Sequence, residues 1–128
     1  MVEINFTNPE FPNNWERKKV NDIESNPLKC YYLRVHFSEN SDRIFRIYPQ
    51  YRAVPNCYGG MQILGEKEVF AEYWILTEQI AFRKNSEWTY DTETIIRVFT
   101  DLDEAKYRAK IQFQHIKNLI DIYFPKKN

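Results

Sequence analysis

The apolar side chains of residues 102–123 recur every three or four positions, and this stripe constrains the fold more than any other feature of the sequence. It consists of Leu102, Ala105, Ala109, Phe113, Ile116, Ile120 and Tyr123. The spacing predicts one long amphipathic helix, which we expect Thr100 to cap and Pro125 to end near Phe124. A helix with one apolar side must bury that side against another layer, so the rest of the chain has to supply one.

From Leu28 onward, and up to residue 99, several segments alternate apolar with polar residues, as in β-strands. The alternation is clearest at residues 28–48, where two strands joined by a polar turn form a hairpin. We expect Phe45 and Ile47 to lie beside Leu33 and Val35 on the face toward the helix, because a one-residue slip would invert both faces.

The remaining pattern predicts the other elements of the fold. The predicted strands are residues 28–37, 43–48, 61–64, 68–76, 79–83 and 94–99, with turns at 85–87 and 90–92. A short helix is expected at residues 15–24, with Asn14 as its cap. Runs of strands followed by a helix favour an α+β fold, an antiparallel sheet of about five or six strands with the long C-terminal helix on one face. The length fits a single domain, residues 1–128.

Composition limits the classes of function. The chain has 18 Lys+Arg and 18 Asp+Glu, spread evenly, which disfavours a generic role in coating nucleic acid. Its apolar runs are shorter than the ~20 residues that span a bilayer, and the first ten residues lack the basic region of a signal peptide. Two cysteines without CxxC spacing indicate reduced thiols. We therefore expect a soluble, cytoplasmic protein that does not bind membranes.

The motifs of common enzymes are missing from the sequence. Three glycines leave no glycine-rich phosphate loop, and a zinc site would need Cys30, Cys57, His36 and His115 to meet in space. Neither a metal nor a cofactor is predicted. Cys57, in the segment 55–60, is a candidate nucleophile if either histidine serves as its base, but an ordinary loop cysteine is the simpler interpretation. We expect a protein that is not an enzyme, and no catalytic residue is assigned.

The hairpin face that points away from the helix displays five side chains with binding chemistry. These predicted ligand-binding residues are Tyr32, Arg34, His36, Arg46 and Tyr48. Arg34 and Arg46 can lie on adjacent strands, where two guanidinium groups bind a carboxylate or phosphate and a tyrosine stacks on a base. The alternative is an exposed strand face whose arginines pair with Glu39, Asp42 or acids of other strands.

Aromatic and apolar residues outside the predicted core indicate a surface for a partner. The predicted partner-binding residues are Tyr51, Tyr58, Trp88 and Tyr90 in loops or turns, and Tyr107, Ile111 and Ile122 on the back of the C-terminal helix. The loop aromatics could instead pack beneath loops of their own chain. The back of the helix could be covered by the first helix, by the loop around Phe6 and Phe11, by a partner or by a second copy in a homodimer.

Two functions of different class follow from these features. The first is a small non-enzymatic interaction protein, such as an inhibitor, an immunity-type protein or an adaptor, that binds another macromolecule, most readily a protein. The alternative is binding of a small anion, a nucleotide or a short RNA through the Arg/Tyr/His strand face.

Overall fold

The computed structural model describes residues 4–19, 29–51, 53–55, 61–63 and 71–125 of the 128-residue chain. Within these ranges eight strands precede one helix. The elements are β1 (Glu16–Lys19), β2 (Lys29–Ser38), β3 (Ser41–Tyr51), β4 (Ala53–Pro55), β5 (Met61–Ile63), β6 (Ala71–Lys84), β7 (Glu87–Tyr90), β8 (Thr94–Phe99) and α1 (Leu102–Tyr123).

Six of these strands form one antiparallel sheet, which curls into a half-barrel. The strand order is β1-β2-β3-β6-β7, and β8 also pairs with β6. Strand β3 pairs with one edge of β6. The other edge of β6 pairs first with β8 and then, further along, with β7. Strands β4 and β5 pair only with each other among the described elements. The α+β class and the antiparallel sheet with a C-terminal helix are confirmed.

The first hairpin faces the helix as the alternation predicts. Leu33 lies opposite Phe45, while Ile47 lies opposite Tyr31 rather than beside Val35. The side chains of Leu33, Val35, Phe45 and Ile47 are all buried in one cluster with the apolar residues of α1. This face of the hairpin therefore belongs to the core, and the opposite face carries the predicted ligand-binding residues.

The short helix predicted at residues 15–24 is wrong over the part that the structure describes. Residues Glu16–Lys19 form β1, in which Glu16 lies opposite Tyr32 and Lys18 opposite Cys30. Glu, Arg and Lys favour helix intrinsically, but the free edge of β2 offers backbone partners that outweigh this weak preference. A short strand rich in lysine is also a common way to end a sheet. The rest of the predicted helix, residues 20–24, lies outside the described residues.

Over the described residues, the two strands predicted at 68–76 and 79–83 are one continuous strand of 14 residues, β6, and residues 68–70 lie outside the described part of the chain. The polar residues Thr77 and Glu78 suggest a break, yet both find long-range partners. Thr77 is buried and donates a hydrogen bond to Glu93, and Glu78 accepts hydrogen bonds from Arg43 and Gln112. Polar residues inside a strand interrupt the sequence pattern without interrupting the sheet when neighbouring strands satisfy them.

Strand β7 was not predicted, and its residues Trp88 and Tyr90 lie on a strand rather than in a loop or turn. The turn before β7 was predicted correctly. Asn85 and Ser86 have φ angles of 54° and 67°, as in the tight two-residue turns that join hairpin strands. The pair of positive φ angles aligns β7 against the end of β6, which places Trp88 opposite Arg83.

The long helix begins and ends close to the predicted positions. Its N-cap is Asp101 rather than Thr100, because the Asp101 carboxylate accepts a hydrogen bond from the Glu104 backbone N–H at 3.2 Å. The buried residues of α1 are Ala105, Ala109, Phe113 and Ile116. Tyr123, predicted in the apolar stripe, is 73% exposed, because the apolar spacing continues past the buried part of the helix.

The 22-residue helix α1 carries charged side chains along its length. None of the helices in the described ranges combines the length and the apolar character needed to cross a membrane.

Candidate functional site

A pocket of about 280 Å³ lies on the sheet face opposite α1. It is lined by Lys18, Lys19, Cys30, Tyr32, Arg34, Arg46, Tyr48 and Tyr90. The structure thus brings together four of the five predicted ligand-binding residues; the fifth, His36, is not part of the lining. Among the residues that the structure describes, four of those lining the pocket are cationic and none is a carboxylate, so the pocket is suited to an anion.

The register of β2 and β3 places Arg34 and Arg46 close together on one face of the sheet. Tyr32 lies opposite Arg46, and Arg34 lies opposite Ile44, two positions from Arg46 on the same face. The arginines are therefore diagonal neighbours, close enough for long side chains to reach one ligand.

Arg34 is oriented by an acid and by two aromatic rings. Its Nε donates to Asp42 Oδ2 at 2.5 Å and its Nη1 donates to the Tyr90 hydroxyl at 3.3 Å. The Arg34 Cζ lies 4.7 Å from the centre of the Trp88 ring and 5.6 Å from that of Tyr90. Burial alone would lower the pKa of Arg34, but hydrogen bonds with Tyr90, Asp42 and Tyr32 raise the pKa above its ordinary value. This guanidinium is a permanent cation held in place.

His36 shares the carboxylate that holds Arg34. Asp42 is 5% exposed, and its Oδ1 lies 2.5 Å from Nδ1 of His36. The His36 side chain is 49% exposed and lies beside Arg34 on the same strand face. One buried carboxylate therefore positions two predicted site residues, one inside the pocket lining and one outside it.

Arg46 and Tyr48 are held by Glu93. Arg46 Nη1 donates to Gln79 Oε1 at 2.7 Å and to Glu93 Oε1 at 3.4 Å, and the Tyr48 hydroxyl donates to the same Glu93 oxygen at 2.7 Å. Burial raises the pKa of Tyr48, and the hydrogen bond and charge of Glu93 raise it further. Tyr48 is therefore a neutral donor well above pH 7.

Both arginines pair with acids, as the alternative interpretation of this face anticipated. Those acids do not use every donor. Within the described ranges, the hydrogen bonds from Arg46 to side chains all come from Nη1, which leaves Nε and Nη2 for other acceptors. The ion pairs thus orient the guanidinium groups and still leave donors at the pocket.

Lys18 and Lys19 were not predicted as site residues from the sequence, because their place in the pocket depends on β1. Lys18 Nζ lies 3.8 Å from the centre of the Tyr32 ring, and Arg46 Cζ lies 5.3 Å from it. Lys18 also forms a long ion pair of 3.8 Å with Glu16. The one signal for these lysines in the sequence is the basic run at residues 17–19. It indicates a place at the pocket only once residues 16–19 are known to form a strand beside β2.

Cys30 lines the pocket but is poorly suited to reaction. It is 3% exposed, and burial raises the pKa of its thiol. No group of three His, Cys, Asp or Glu side chains that could hold a metal occurs in the described part of the chain. Cys57, the candidate nucleophile, lies outside the described residues.

The predicted partner-binding residues lie on three different parts of the fold. Tyr90 is on β7, 50% exposed at the pocket, with Trp88 beside it on the same strand. On α1, Tyr107, Ile111 and Ile122 are 65%, 39% and 69% exposed. Tyr51 ends β3, and only its place in the strand is described, while Tyr58 lies outside the described residues.

The N-terminal loop contacts α1 elsewhere. The Phe11 ring packs 5.3 Å from that of Phe113, and Phe6 packs 5.1 Å from Phe124. Tyr107 and Ile122 remain mostly exposed beside these contacts. The expected cover of the helix back by this loop is therefore incomplete.

Comparisons of the chain with protein-family models, with curated proteins and with solved structures find no match.

Proposed function

We propose that this protein binds an anionic ligand, with a phosphate or carboxylate group, in the pocket between β1, β2, β3 and β7. The observation that carries the proposal is the lining, in which the described residues include Lys18, Lys19, Arg34 and Arg46 but no acidic side chain. Anion binding is the alternative function that the sequence suggested. Among the described features of the fold, this pocket gives it the strongest support.

The charge balance of the pocket supports an anion in particular. Asp42 is buried beneath Arg34, and Glu93 is engaged by Arg46, Tyr48 and Thr77. Because these two carboxylates already face donors, an entering anion meets mainly the cations. Arginine presents two parallel N–H donors to a carboxylate or phosphate, and lysine contributes a point charge.

Isothermal titration calorimetry with inorganic pyrophosphate at low salt tests this function. We expect binding that weakens as salt is added, since exposed charges are screened. Lys18→Gln should weaken binding about fivefold, because Lys18 is partly exposed and its contribution is modest. Lys84→Gln, a matched change at an exposed lysine outside the lining, should leave binding unchanged.

Two results would contradict the proposal. The first is no heat with pyrophosphate at about 10 mM, where mass action reveals even weak sites. The second is equal weakening by Lys18→Gln and Lys84→Gln, which would mean that pyrophosphate responds to overall charge rather than to this pocket.

We also propose that α1 binds another protein. This is the first function that the sequence suggested, a small interaction protein. The supporting observation is the exposure of Tyr107, Ile111 and Ile122, which share one side of α1. Exposed apolar residues grouped on one side of a helix are typical of interaction surfaces. Light scattering after size-exclusion chromatography tests whether the partner is a second copy. A dimer that dissociates in the Ile122→Glu variant would show that the partner is a second copy of this chain. A protein that stays monomeric at high concentration would mean that the partner is a different protein.

A further inference from the structure

The aromatic and cationic side chains of the pocket continue beyond it across the sheet. Trp88, on β7, is not part of the pocket lining, yet two arginines lie close to its ring. Arg34 Cζ is 4.7 Å from the centre of the Trp88 ring, and Arg83 Cζ is 5.6 Å from it. Trp88 with Arg34 and Arg83 therefore forms a second group of a ring and two cations. It lies next to the first such group, the Tyr32 ring with Lys18 and Arg46.

These two groups form a path that crosses five strands. It runs from Lys18 on β1 through Tyr32 and Arg34 on β2, Arg46 on β3 and Arg83 on β6 to Trp88 and Tyr90 on β7. The path is shorter than the backbone spacing of five strands, because the sheet curls and Arg34 of β2 reaches the Trp88 ring of β7. One phosphate occupies only the pocket, whereas a single strand of about three nucleotides can place a phosphate there and a base at Trp88.

Of the two acids next to the rings of β7, Glu87 lies away from this path. It precedes Trp88 on the strand and lies opposite Lys84, so its side chain belongs to the other face of the sheet. The Asp91 carboxylate, just after β7, accepts a hydrogen bond from the Thr92 backbone N–H. The path carries a cation on every strand except β7, which contributes the rings of Trp88 and Tyr90.

We infer that the anionic ligand is a single-stranded nucleic acid, whose phosphate enters the pocket and whose neighbouring base stacks at Trp88. This inference rests on the proposed anion-binding function and extends it along the sheet. A positively charged groove with aromatic rings is the usual surface for single strands, because every base has a flat face that stacks. A short path of this kind is compatible with a chain of zero net charge, since the cations need to be concentrated only locally.

Fluorescence anisotropy with labelled uridylate and thymidylate hexamers tests this inference, with uridine monophosphate and pyrophosphate as unlabelled competitors. We expect at least one hexamer to bind about tenfold or more tightly than the monophosphate. Trp88→Leu should weaken the hexamer about tenfold but pyrophosphate by no more than about threefold, since the Trp88 ring also packs against the pocket residue Arg34. Trp88→Phe, which keeps a ring, should restore most of the hexamer affinity. Pyrophosphate binding within that range also establishes that the variant is folded.

The wild-type protein supplies a second measurement that needs no variant. The logarithm of the hexamer affinity should fall with the logarithm of salt concentration with a slope of about −2 or steeper, because about three phosphates replace their counterions. A slope shallower than about −1 would overturn the inference.

The outcomes separate this inference from the proposed function. If pyrophosphate binds but neither hexamer exceeds the monophosphate, the anion pocket stands and the nucleic-acid ligand is wrong. If a polyglutamate peptide binds as tightly as the hexamers, a generic polyanion or acidic protein replaces nucleic acid. If neither pyrophosphate nor a hexamer binds, both proposals are wrong.

Discussion

Asp42 is a single buried carboxylate that serves two site residues. It accepts a hydrogen bond from Arg34 and contacts His36, and its own side chain is 7% exposed. A buried carboxylate is tolerated only when donors compensate for the water it has lost. The position of the Arg34 guanidinium at the pocket therefore depends on Asp42, although Asp42 does not line the pocket.

Asp42→Asn should lower the free energy of unfolding by about 1–3 kcal/mol, because it removes hydrogen bonds made to a charged acceptor. The exposure of Arg34 and His36 keeps the loss below that of a fully buried ion pair. Urea denaturation measures the change. Asp103→Asn, at an exposed aspartate in the first turn of α1, should cost no more than about 0.5 kcal/mol, and an equal loss in both variants would disprove the role of Asp42.

Tyr48 makes the stability of the protein depend on pH through its half-buried phenol. The folded state raises the pKa of Tyr48 above the ordinary value of 10.0, first through burial and then through Glu93. As pH rises past about 10, the unfolded chain therefore releases this proton before the folded protein does. The free energy of unfolding must then fall with increasing pH, since the folded state binds more protons than the unfolded state.

Tyr48→Phe should flatten this alkaline loss of stability between about pH 9 and about pH 11. At neutral pH the same variant should be about 1 kcal/mol less stable, because the hydrogen bond to Glu93 is lost. Urea denaturation at several pH values measures both effects. Tyr123→Phe, which changes an exposed phenol on α1, is the control, and a variant at Tyr48 with the wild-type alkaline slope would contradict the linkage.

At the scale of residues, alternation was enough to place Arg34 and Arg46 on one face, because side-chain direction in a strand has a period of two. It was not enough to find Glu93 or Tyr90. Glu93 reaches Tyr48 across 45 positions in the sequence, and Tyr90 reaches Arg34 across 56. Such contacts depend on strand order, which no local pattern contains.

Among the elements, α1 is the clearest test of local rules, since two adjacent residues compete to cap it. Thr100 was predicted as the cap, and Asp101 takes the position. Both side chains can accept a hydrogen bond from a backbone N–H, so the sequence could not decide between neighbours.

Asp101→Ala should lower the free energy of unfolding by about 1 kcal/mol, through loss of the cap to the Glu104 N–H. Thr100→Ala, one residue earlier and exposed, should change it by less than about 0.5 kcal/mol. Thermal unfolding of the two variants in parallel decides the matter, and a larger loss at Thr100 would return the cap to that residue.

Strands β1 and β7 were missed for opposite reasons. The residues of β1 are all exposed and favour helix, so nothing in its composition indicates a strand until β2 provides an edge. Strand β7 did carry a signal, the alternation of Trp88 and Tyr90 with polar residues, but four residues are too few to outweigh the turn on either side. Together these two short strands supply the lysines and the rings of the proposed binding path.

For the whole molecule, Phe113 is the residue at which the layers meet. It is 3% exposed, and its ring packs against Phe37 of the sheet and Phe11 of the N-terminal loop. The amphipathic spacing of α1 was sufficient to predict this burial, because helix periodicity is local and the sheet face is apolar.

Phe113→Ala should destabilise the protein by about 3–5 kcal/mol, the usual cost of a cavity left by a core phenylalanine. Tyr107→Ala, on the exposed side of the same helix, should stay within about 0.5 kcal/mol of the wild type. Chemical denaturation followed by circular dichroism measures both. Similar losses in the two variants would mean that α1 is not anchored through Phe113.

The position of β6 at the centre of the sheet also has a consequence for biosynthesis. As the chain leaves the ribosome, β2 and β3 can pair early, but β3 has one unpaired edge until residues Ala71–Lys84 emerge. Translation from Tyr51 to Lys84 takes about 2–7 s at about 5–20 residues per second. During that interval the nascent hairpin presents an edge of unpaired backbone N–H and C=O groups, which can pair with strands of other chains. Chaperone dependence should therefore concentrate in this window, and stalled translation products that end before Ala71 should be the ones that aggregate.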